Sequence, residues 1–344
     1  MKLLNVLVLG VGGNVSQGIM TALRTSQIPC RIIGACVTSE SLGLYFCDAA
    51  YISPYADAPS FYPWLVDICK KEKVDIVFSG VEEVIWALAA RHRDLENENI
   101  LFISSSLDKL AIGNDKLKTC QWLKAHGLNY PCFAPSESRT DIDALVNAVG
   151  FPLLAKPRTG KGSSGVLILH NSQDIEKLPS DYVVQEYLGD SDNEYTVGCY
   201  VSKKEVLEDM IVCKRHLKYG TTFKAEIVQN DAIKEECRKI CEAFQPVGPL
   251  NIQLRMHHGK PVCFELNVRF SGTTPLRAHW GYNDVAAMIN EYLLDKETAL
   301  HPVKSGLAYR YFNEAYIDVE MLRMLEEKKS ISDCNKYNNV KEKC

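Results

Sequence analysis

The chain has 344 residues, of which 46% are hydrophobic and 24% are charged, and its formal net charge is -4. These values are ordinary for a globular protein long enough for two or three domains. The charge shows no basic excess of the kind that marks nucleic-acid binding, and no apolar run is long enough to span a bilayer, so neither nucleic acid nor membrane is expected as a partner. Thirteen cysteines without a repeated pair spacing favour reduced thiols and a cytoplasmic location over a disulfide framework.

The first part of the chain alternates short apolar runs with helical patterns. Predicted strands cover residues 3–9, 31–37, 74–79 and 100–104, and predicted helices cover residues 16–25, 60–72 and 83–93. Such alternation is typical of a doubly wound α/β domain, here residues 1–112. Gly10, Gly12 and Gly13 resemble part of a dinucleotide fingerprint, but Val15 stands where its last glycine would fall.

The pattern changes at residue 113. Asn114 or Asp115 is placed to cap a helix that runs to about His126, and a linker around Pro131 and Pro135 leads to a helix at about 140–149. From Phe151 the sequence is rich in strands, which predicts an α+β unit of antiparallel hairpins with one helix at about 230–244. The strands are expected at 151–156, 165–169, 182–188, 194–201, 206–213, 250–255 and 261–268. A helix at 284–294 and a strand at 306–312 close the fold, and the polar residues from Leu325 onward are predicted to be mobile.

A candidate phosphate-binding segment begins at Lys156, at the end of a predicted strand. The loop that follows contains three glycines and two serines, Gly160, Gly162, Ser163, Ser164 and Gly165. Backbone N–H groups of a glycine-rich turn can approach phosphate oxygens, and the lysine adds a positive charge. The segment is not a Walker A loop, because no helix follows it. A flexible hairpin tip would have the same composition, so this segment leaves both interpretations open.

A second candidate segment is the apolar strand that ends at Glu186 and Leu188. Its connector offers backbone N–H and C=O groups of the kind that bind a purine edge. Glu186, or Glu194 at the start of the next strand, is a candidate for binding ribose hydroxyls. An exposed hairpin explains this segment equally well.

The polar pattern at 265–269 is the most specific. Strand alternation places Glu265, Asn267 and Arg269 on one face and Phe264 on the other, apolar face. The turn at 257–260 makes a hairpin that sets Gln253 beside Glu265. A carboxylate and carboxamide oxygens suit Mg²⁺, and a guanidinium suits a phosphate. The alternative is an edge strand with a solvated polar face.

Taken in order, these segments resemble the ATP-grasp superfamily, in particular the ATP-binding half of carbamoyl-phosphate synthase large subunits and stand-alone carboxylate–amine ligases. The resemblance covers about residues 1–310 and is most specific in Asn-x-Gln at 251–253 and Glu-x-Asn-x-Arg-x-Ser at 265–271. It implies a pre-ATP-grasp, Rossmann-like domain at 1–112 and an ATP-grasp fold of two α+β lobes. The implied boundaries are 113–184 for the first lobe, 185–312 for the second, and 313–344 for a C-terminal helix and mobile tail.

The resemblance also implies roles for individual residues. Gln253, Glu265 and Asn267 would bind Mg²⁺, with Mn²⁺ as a substitute, and Arg269 would contact the transferred phosphoryl group. The loop 160–165 would be a flap that closes over the ATP phosphates. The other nucleotide contacts would be made by Lys116 and Lys156 to the phosphates, Glu186 and Leu188 to adenine, and Glu194 to ribose.

The implied reaction is an ATP-dependent ligation of small molecules. A carboxylate attacks the γ-phosphate to give an acyl phosphate and ADP, and an amine, or else a thiol, then displaces phosphate. The substrate side is expected at Ser271, Gly272 and Thr273, with Arg277 either a carboxylate clamp or a surface arginine. A homodimer is the expectation at the level of the family.

Three alternatives stand beside the ligase. The first is a kinase or carboxyphosphate-forming enzyme on the same scaffold, and the second is a nucleotide-binding regulatory protein without turnover. The complete set of Gln253, Glu265, Asn267 and Arg269 argues against the regulatory protein. The third, an NAD-dependent dehydrogenase, rests on the imperfect glycine turn alone.

Overall fold

The structure, a computed structural model, describes residues 2–160, 162, 164–189 and 191–336. Its strands are β1 (Leu4–Leu9), β2 (Cys30–Cys36), β3 (Ala49–Ile52), β4 (Ile76–Ser79), β5 (Phe133–Pro135), β6 (Leu153–Pro157), β7 (Leu167–Leu169), β8 (Tyr182–Glu186), β9 (Glu194–Val201), β10 (Leu207–Lys218), β11 (Thr221–Ile227), β12 (Gly248–His257), β13 (Lys260–Asn267), β14 (Leu307–Tyr309) and β15 (Ser330–Ile331).

The α-helices lie between these strands and after them. They are α1 (Asn14–Thr25), α2 (Phe61–Glu72), α3 (Glu82–Ala89), α4 (His92–Asn97), α5 (Leu107–Asn114), α6 (Lys116–Ala125), α7 (Arg139–Val149), α8 (Ser172–Ile175), α9 (Asp231–Phe244), α10 (Thr274–His279), α11 (Asp284–Tyr292) and α12 (Val319–Lys328). None of the helices in the described part of the chain is both long enough and apolar enough to cross a membrane.

One compact unit consists of residues up to 107, 269–302 and from 311 onward, as far as the structure describes them. Its sheet has the order β15-β3-β2-β1-β4, and all pairings among β1 to β4 are parallel. Val6, Leu7 and Val8 of β1 are completely buried, because helices of a doubly wound sheet cover both faces of a central parallel strand. The predicted Rossmann-like architecture is confirmed.

Three sequence predictions in this unit need correction. Residues 100–104 do not form a strand, since only Phe102 makes a bridge, to Val77. The helix predicted at 83–93 is divided into α3 and α4. The segment from Leu325 is also not a mobile tail up to residue 336, because Leu325 is completely buried in α12 and β15 pairs antiparallel with β3. Residues 337–344 lie outside the described part.

The second compact unit contains residues 108–268 and 303–310 and has two antiparallel sheets. The four-stranded sheet has the order β5-β8-β6-β7, and the six-stranded sheet has the order β13-β12-β9-β10-β11-β14. Asp115 caps α6 by accepting hydrogen bonds from the backbone N–H groups of Leu117 and Lys118, as its position predicted. The region expected to be a linker instead contains β5, which pairs with β8. The predicted α+β hairpin unit is confirmed.

Candidate nucleotide and metal site

Three oxygen-bearing side chains lie together on the β12–β13 hairpin. Gln253 is directly opposite Glu265, and Asn267 is opposite Asn251. Asn267 Nδ2 donates a hydrogen bond of 2.9 Å to Glu265 Oε1, so these two side chains are in direct contact. Gln253, Glu265 and Asn267 are all half-buried. The arrangement follows from the hairpin turn, which fixes the strand register and therefore which side chains share a face.

The donor chemistry of this hairpin fits a magnesium ion that arrives with a phosphate. Glu265 supplies one carboxylate, and Gln253 and Asn267 supply carboxamide oxygens, which are hard ligands suited to Mg²⁺. Mg²⁺ in nucleotide sites is commonly held by one or two carboxylates together with substrate phosphates. Among the residues that the structure describes, no cluster of three or more His, Cys, Asp and Glu could hold a metal by itself. The fit therefore depends on the phosphates of a bound nucleotide.

Gln253 also belongs to a buried network of charged side chains. Arg215 Nη2, from β10, donates to Gln253 Oε1 at 2.7 Å and to Glu194 Oε1 at 2.6 Å. Arg215 Nε donates a further hydrogen bond of 2.9 Å to Glu194 Oε1. Arg255 holds the other carboxylate oxygen, with Nη2 and Nε lying 2.8 and 3.1 Å from Glu194 Oε2. The network thus joins one carboxylate to two guanidinium groups and to a candidate metal ligand.

The geometry of Glu194 does not fit the predicted ribose contact. Its side chain is only 4% exposed, and a carboxylate has about four acceptor positions, which the four N–H groups of Arg215 and Arg255 already occupy. Burial alone raises the pKa of Glu194, but the two arginines outweigh it and hold that pKa below its ordinary value. Glu194 is therefore an ionised structural centre rather than an open ribose acceptor.

The apolar part of the site comes from an irregularity in β13. The register shifts between Gln253 and Leu254, which leaves Phe264 as an extra residue between the paired Cys263 and Glu265. Phe264 packs in a small cluster with Leu188 and Val262, and its ring centroid lies 4.6 Å from Lys156 Nζ. The strict alternation predicted for β13 is therefore broken, and Phe264 does not join the apolar layer that the sequence assigned to it.

Lys156 occupies a desolvated position at the end of β6. Burial lowers the pKa of Lys156 to about 8, and the nearby carboxylate of Glu265 offsets only part of this effect. A lysine with so low a pKa carries a charge that water does not stabilise well, so an incoming anion would be bound strongly there. A cation from Lys156 therefore lies near an aromatic ring and a carboxylate of the β12–β13 hairpin, those of Phe264 and Glu265.

Lys116 and the glycine-rich loop are also brought together. Lys116 Nζ donates a hydrogen bond of 2.9 Å to the carbonyl oxygen of Gly160. Gly162 lies against Gly220 in the β10–β11 turn, where an added Cβ atom would be 2.5 Å from the Gly162 oxygen. Ser164 and Gly165 are exposed. The predicted Ser163 contact falls outside the described residues.

Glu186 is already engaged by protein groups. Its Oε1 lies 3.1 Å from His257 Nε2, and its Oε2 accepts a hydrogen bond of 3.2 Å from the backbone N–H of Cys132. The Glu186 N–H in turn donates to the Cys132 carbonyl at 2.8 Å. Glu186 thus fixes the β8 end of the connector on which Leu188 lies, and its side chain holds structure around the predicted adenine hinge.

Arg269 and the predicted substrate residues belong to the first unit. Arg269 Nε and Nη2 donate to Glu82 Oε1 at 3.0 and 2.6 Å, where Glu82 begins α3. The hydroxyls of Ser271 and Thr273 lie 2.9 Å apart, next to Gly272 in the same loop. Within this unit, then, Glu82 orients the guanidinium that the sequence assigned to the phosphoryl group.

Arg277 does not fit the predicted carboxylate clamp, nor is it a surface arginine. It is 1% exposed, and its Nη2 atom donates to Asp284 Oδ2 at 2.8 Å and to Thr274 Oγ1 at 3.0 Å. A carboxylate substrate cannot reach so deeply buried a group that an aspartate already holds. Arg277, itself in α10, instead ties the first residue of that helix to the start of α11.

Sequence reasoning missed Arg215, Glu82 and the role of Phe264. Arg215 stands between the half-buried Lys214 and His216 on β10, so this basic run gives no sign that Arg215 alone is buried and paired. Glu82 carried no signal, since its partner is 187 residues away along the chain. The amino-acid composition of β13 gives no signal of the register shift at Phe264.

Comparison with protein-family models gives three matches in chain order. Residues 6–103 match the PylC-like N-terminal domain, residues 113–242 match the RimK-like ATP-grasp domain, and residues 179–315 match "ATP-grasp in the biosynthetic pathway with Ter operon". A carbamoyl phosphate synthase large chain from Methanosarcina barkeri is 23% identical over an alignment of 310 residues that covers 78% of this chain. The match spans only 28% of that relative, so this chain accounts for only part of the curated relative's length.

Solved structures share the fold. N5-carboxyaminoimidazole synthetase from Staphylococcus aureus has a TM-score of 0.69 at 16% identity, covering 95% of this chain and 86% of that one. A biotin carboxylase complex from Campylobacter jejuni also has a TM-score of 0.69 at 16% identity, covering 89% of this chain and 75% of that one. These two structures share the fold, and the family models identify the superfamily: a PylC-like domain is followed by two overlapping ATP-grasp matches over residues 113–315, so the chain belongs to the ATP-grasp superfamily.

Proposed function

We propose that the protein is an ATP- and Mg²⁺-dependent, ADP-forming carboxylate–amine ligase that works through an acyl phosphate. The observation that carries this proposal is the register of β12 and β13, which sets Gln253 opposite Glu265, whose carboxylate accepts a hydrogen bond from Asn267. The desolvated ammonium of Lys156 lies beside the same hairpin and supplies an anion-binding group. The ATP-grasp membership of the chain agrees with a nucleotide as the anion.

In this proposal the chain's own residues position groups and neutralise charge. Lys116 and Lys156 hold the phosphates, and the apolar cluster of Leu188, Val262 and Phe264 receives the adenine ring. Arg269, held by Glu82, meets the charge that develops on the transferred phosphoryl group. Gln253, Glu265 and Asn267 would hold Mg²⁺, which would supply positive charge against the phosphates.

The substrate carboxylate attacks the γ-phosphorus, and the bond to the ADP oxygen breaks. The amine then attacks the acyl carbon, and phosphate leaves as the amide bond forms. No protein nucleophile takes part, so the protein contributes orientation and the exclusion of water. Closure of the loop 160–165 is the proposed means of protecting the acyl phosphate from hydrolysis.

Carboxyphosphate formation from bicarbonate is the second candidate. The sequence match to a carbamoyl phosphate synthase large chain favours it, although the chain spans only part of that protein. The two candidates share the metal and phosphate contacts and differ in the acid, so one assay separates them.

The experiment is an ADP-release assay with Mg-ATP, amino acids and small carboxylates supplied in pairs, and bicarbonate supplied as a sole acid. We expect at least one acid–amine pair to stimulate ADP release, and Glu265→Ala to lower that rate by about 100-fold or more. Glu226→Ala is the matched control, since Glu226 is an exposed glutamate on β11 of the same sheet. Stimulation by bicarbonate alone would favour the second candidate. Equal turnover in wild type and Glu265→Ala would contradict both.

A further inference from the structure

Arg215 ties the candidate metal ligand Gln253 to the buried ion-pair network. A single atom, Arg215 Nη2, donates to both Gln253 Oε1 and Glu194 Oε1, at 2.7 and 2.6 Å. The atom that it contacts on Gln253 is the carboxamide oxygen, which is the only atom of that side chain able to bind a cation. That oxygen has two lone pairs and Arg215 takes one of them, so a divalent ion that binds there is in competition with the guanidinium charge beside it.

The charge balance of the network strengthens this competition. Two arginines face one carboxylate, so Glu194, Arg215 and Arg255 together carry one excess positive charge. The side chains of Arg215 and Glu194 are only 10% and 4% exposed, so water screens this charge weakly. Glu265, opposite Gln253, supplies one negative charge, so a divalent cation there still meets the repulsion of Arg215 unless further negative groups accompany it.

Nucleotide phosphates are such groups. They add several negative charges next to Lys156 and the β12–β13 hairpin, and they complete a ligand set that has only one carboxylate of its own. The free protein should therefore bind the metal ion weakly, whereas the complex with nucleotide should bind it more tightly.

We propose that Arg215 is a positioning residue that makes metal binding depend on nucleotide, by occupying Gln253 Oε1 and placing a positive charge beside it until the phosphates arrive. The inference rests on the proposed function for the location of the metal. It goes further because Arg215, which is not a metal ligand, would set the order in which the nucleotide and the metal ion bind.

The experiment measures Mn²⁺ binding from the electron paramagnetic resonance signal of the free ion, with and without ADP. Arg215→Met is compared with Arg255→Met, because Arg255 binds Glu194 and the carbonyl of Gly189 but makes no hydrogen bond to Gln253 among those that the structure describes. Binding that Glu265→Ala removes counts as specific. Arg215→Lys retains the charge and provides a second variant in case the methionine variant is poorly folded.

Without ADP, we expect Arg215→Met to bind Mn²⁺ about tenfold more tightly than wild type, while Arg255→Met and Arg215→Lys stay within about twofold of wild type. The gain in Mn²⁺ affinity on adding ADP should shrink in Arg215→Met. An unchanged or weaker nucleotide-free affinity in a folded Arg215→Met protein overturns the inference, and so does an equal rise in Arg255→Met. If wild type shows no Glu265-dependent Mn²⁺ binding even with ADP, the proposed metal site itself is wrong, and the role of Arg215 fails with it.

Discussion

Lys156 shows how much one side chain depends on its surroundings. Its burial lowers the pKa to about 8, the carboxylate of Glu265 offsets part of this effect, and the ring of Phe264 lies 4.6 Å from Nζ. The ammonium is thus ready for an anionic partner at neutral pH but close to losing its proton. A consequence is that phosphate binding and protonation of Lys156 are linked.

We expect the affinity for ADP to fall as the pH rises above about 8. Bound phosphate stabilises the charged lysine, so its pKa in the complex is higher than about 8, and binding takes up a proton between the two values. The affinity is therefore fully present below about pH 8 and falls by up to about tenfold per pH unit above it. Calorimetric titration with ADP between pH 7.5 and 9.5 checks this, because the terminal phosphate is essentially ionised over that range.

Lys156→Arg is the control for this pH dependence. A guanidinium stays protonated throughout the range, so its profile should be flat. A flat profile in wild type, or the same slope in Lys156→Arg, would show that another group is responsible.

At the scale of the elements, hairpins decide which residues meet. Strand alternation and a short turn were enough to predict that Gln253 lies beside Glu265, and the β12–β13 register confirms it. The displaced Phe264 was not predictable, because a bulge inserts one residue without a change in composition. Arg215 lies beyond the predicted end of its strand at residue 213, so its pairing with Glu194 across the β9–β10 hairpin could not be predicted from the expected strand bounds. The polar composition of the C-terminal segment also gave no sign that Met321 and Leu325 are buried. Their spacing of four residues places both side chains on one helix face.

The turn between β10 and β11 provides a test of the glycine-rich loop. Gly220 has a φ of +70°, and a Cβ atom there would lie 2.5 Å from the Gly162 oxygen. Gly127 has a nearly equal φ of +66°, but nothing lies within 4 Å of its added Cβ atom. Alanine at Gly127 therefore introduces only backbone strain, whereas alanine at Gly220 also displaces the loop.

We expect both alanine variants to lose about 1–2 kcal/mol of unfolding free energy, since a left-handed backbone is unfavourable for alanine. Only Gly220→Ala should also weaken ADP binding, because the loop that we propose to cover the phosphates can no longer approach the turn. Urea unfolding and calorimetry measure the two effects. If Gly220→Ala and Gly127→Ala bind ADP equally well, closure of the glycine-rich loop does not require its contact with the β10–β11 turn.

At the scale of the whole molecule, the chain returns late to its first unit. Strand β15 adds to the edge of the parallel sheet through β3, and Arg31 Nη2 donates to the carbonyl of Ser332 at 3.3 Å. Within α12, Leu325 is completely buried, while Val319 is 59% exposed. The last described segment is therefore part of the folded core of that unit.

Leu325→Ala should lower the unfolding free energy by about 2–5 kcal/mol, as expected for a fully buried leucine that leaves a cavity. Val319→Ala, in the same helix, should change it by no more than about 0.5 kcal/mol. Chemical denaturation of the full chain measures both. Similar small effects in the two variants would mean that α12 contributes little to the core.

The central claim is that Gln253, Glu265 and Asn267 hold a divalent ion against the phosphates of a nucleotide. The most direct measurement is a crystal structure with Mn²⁺ and a nonhydrolysable ATP analogue, with the metal located by its anomalous scattering. We predict a manganese ion about 2.0–2.3 Å from oxygens of Glu265 and Asn267 and also bound to phosphate oxygens. A bound nucleotide whose metal has all its protein ligands elsewhere, with these three side chains empty, would contradict the account.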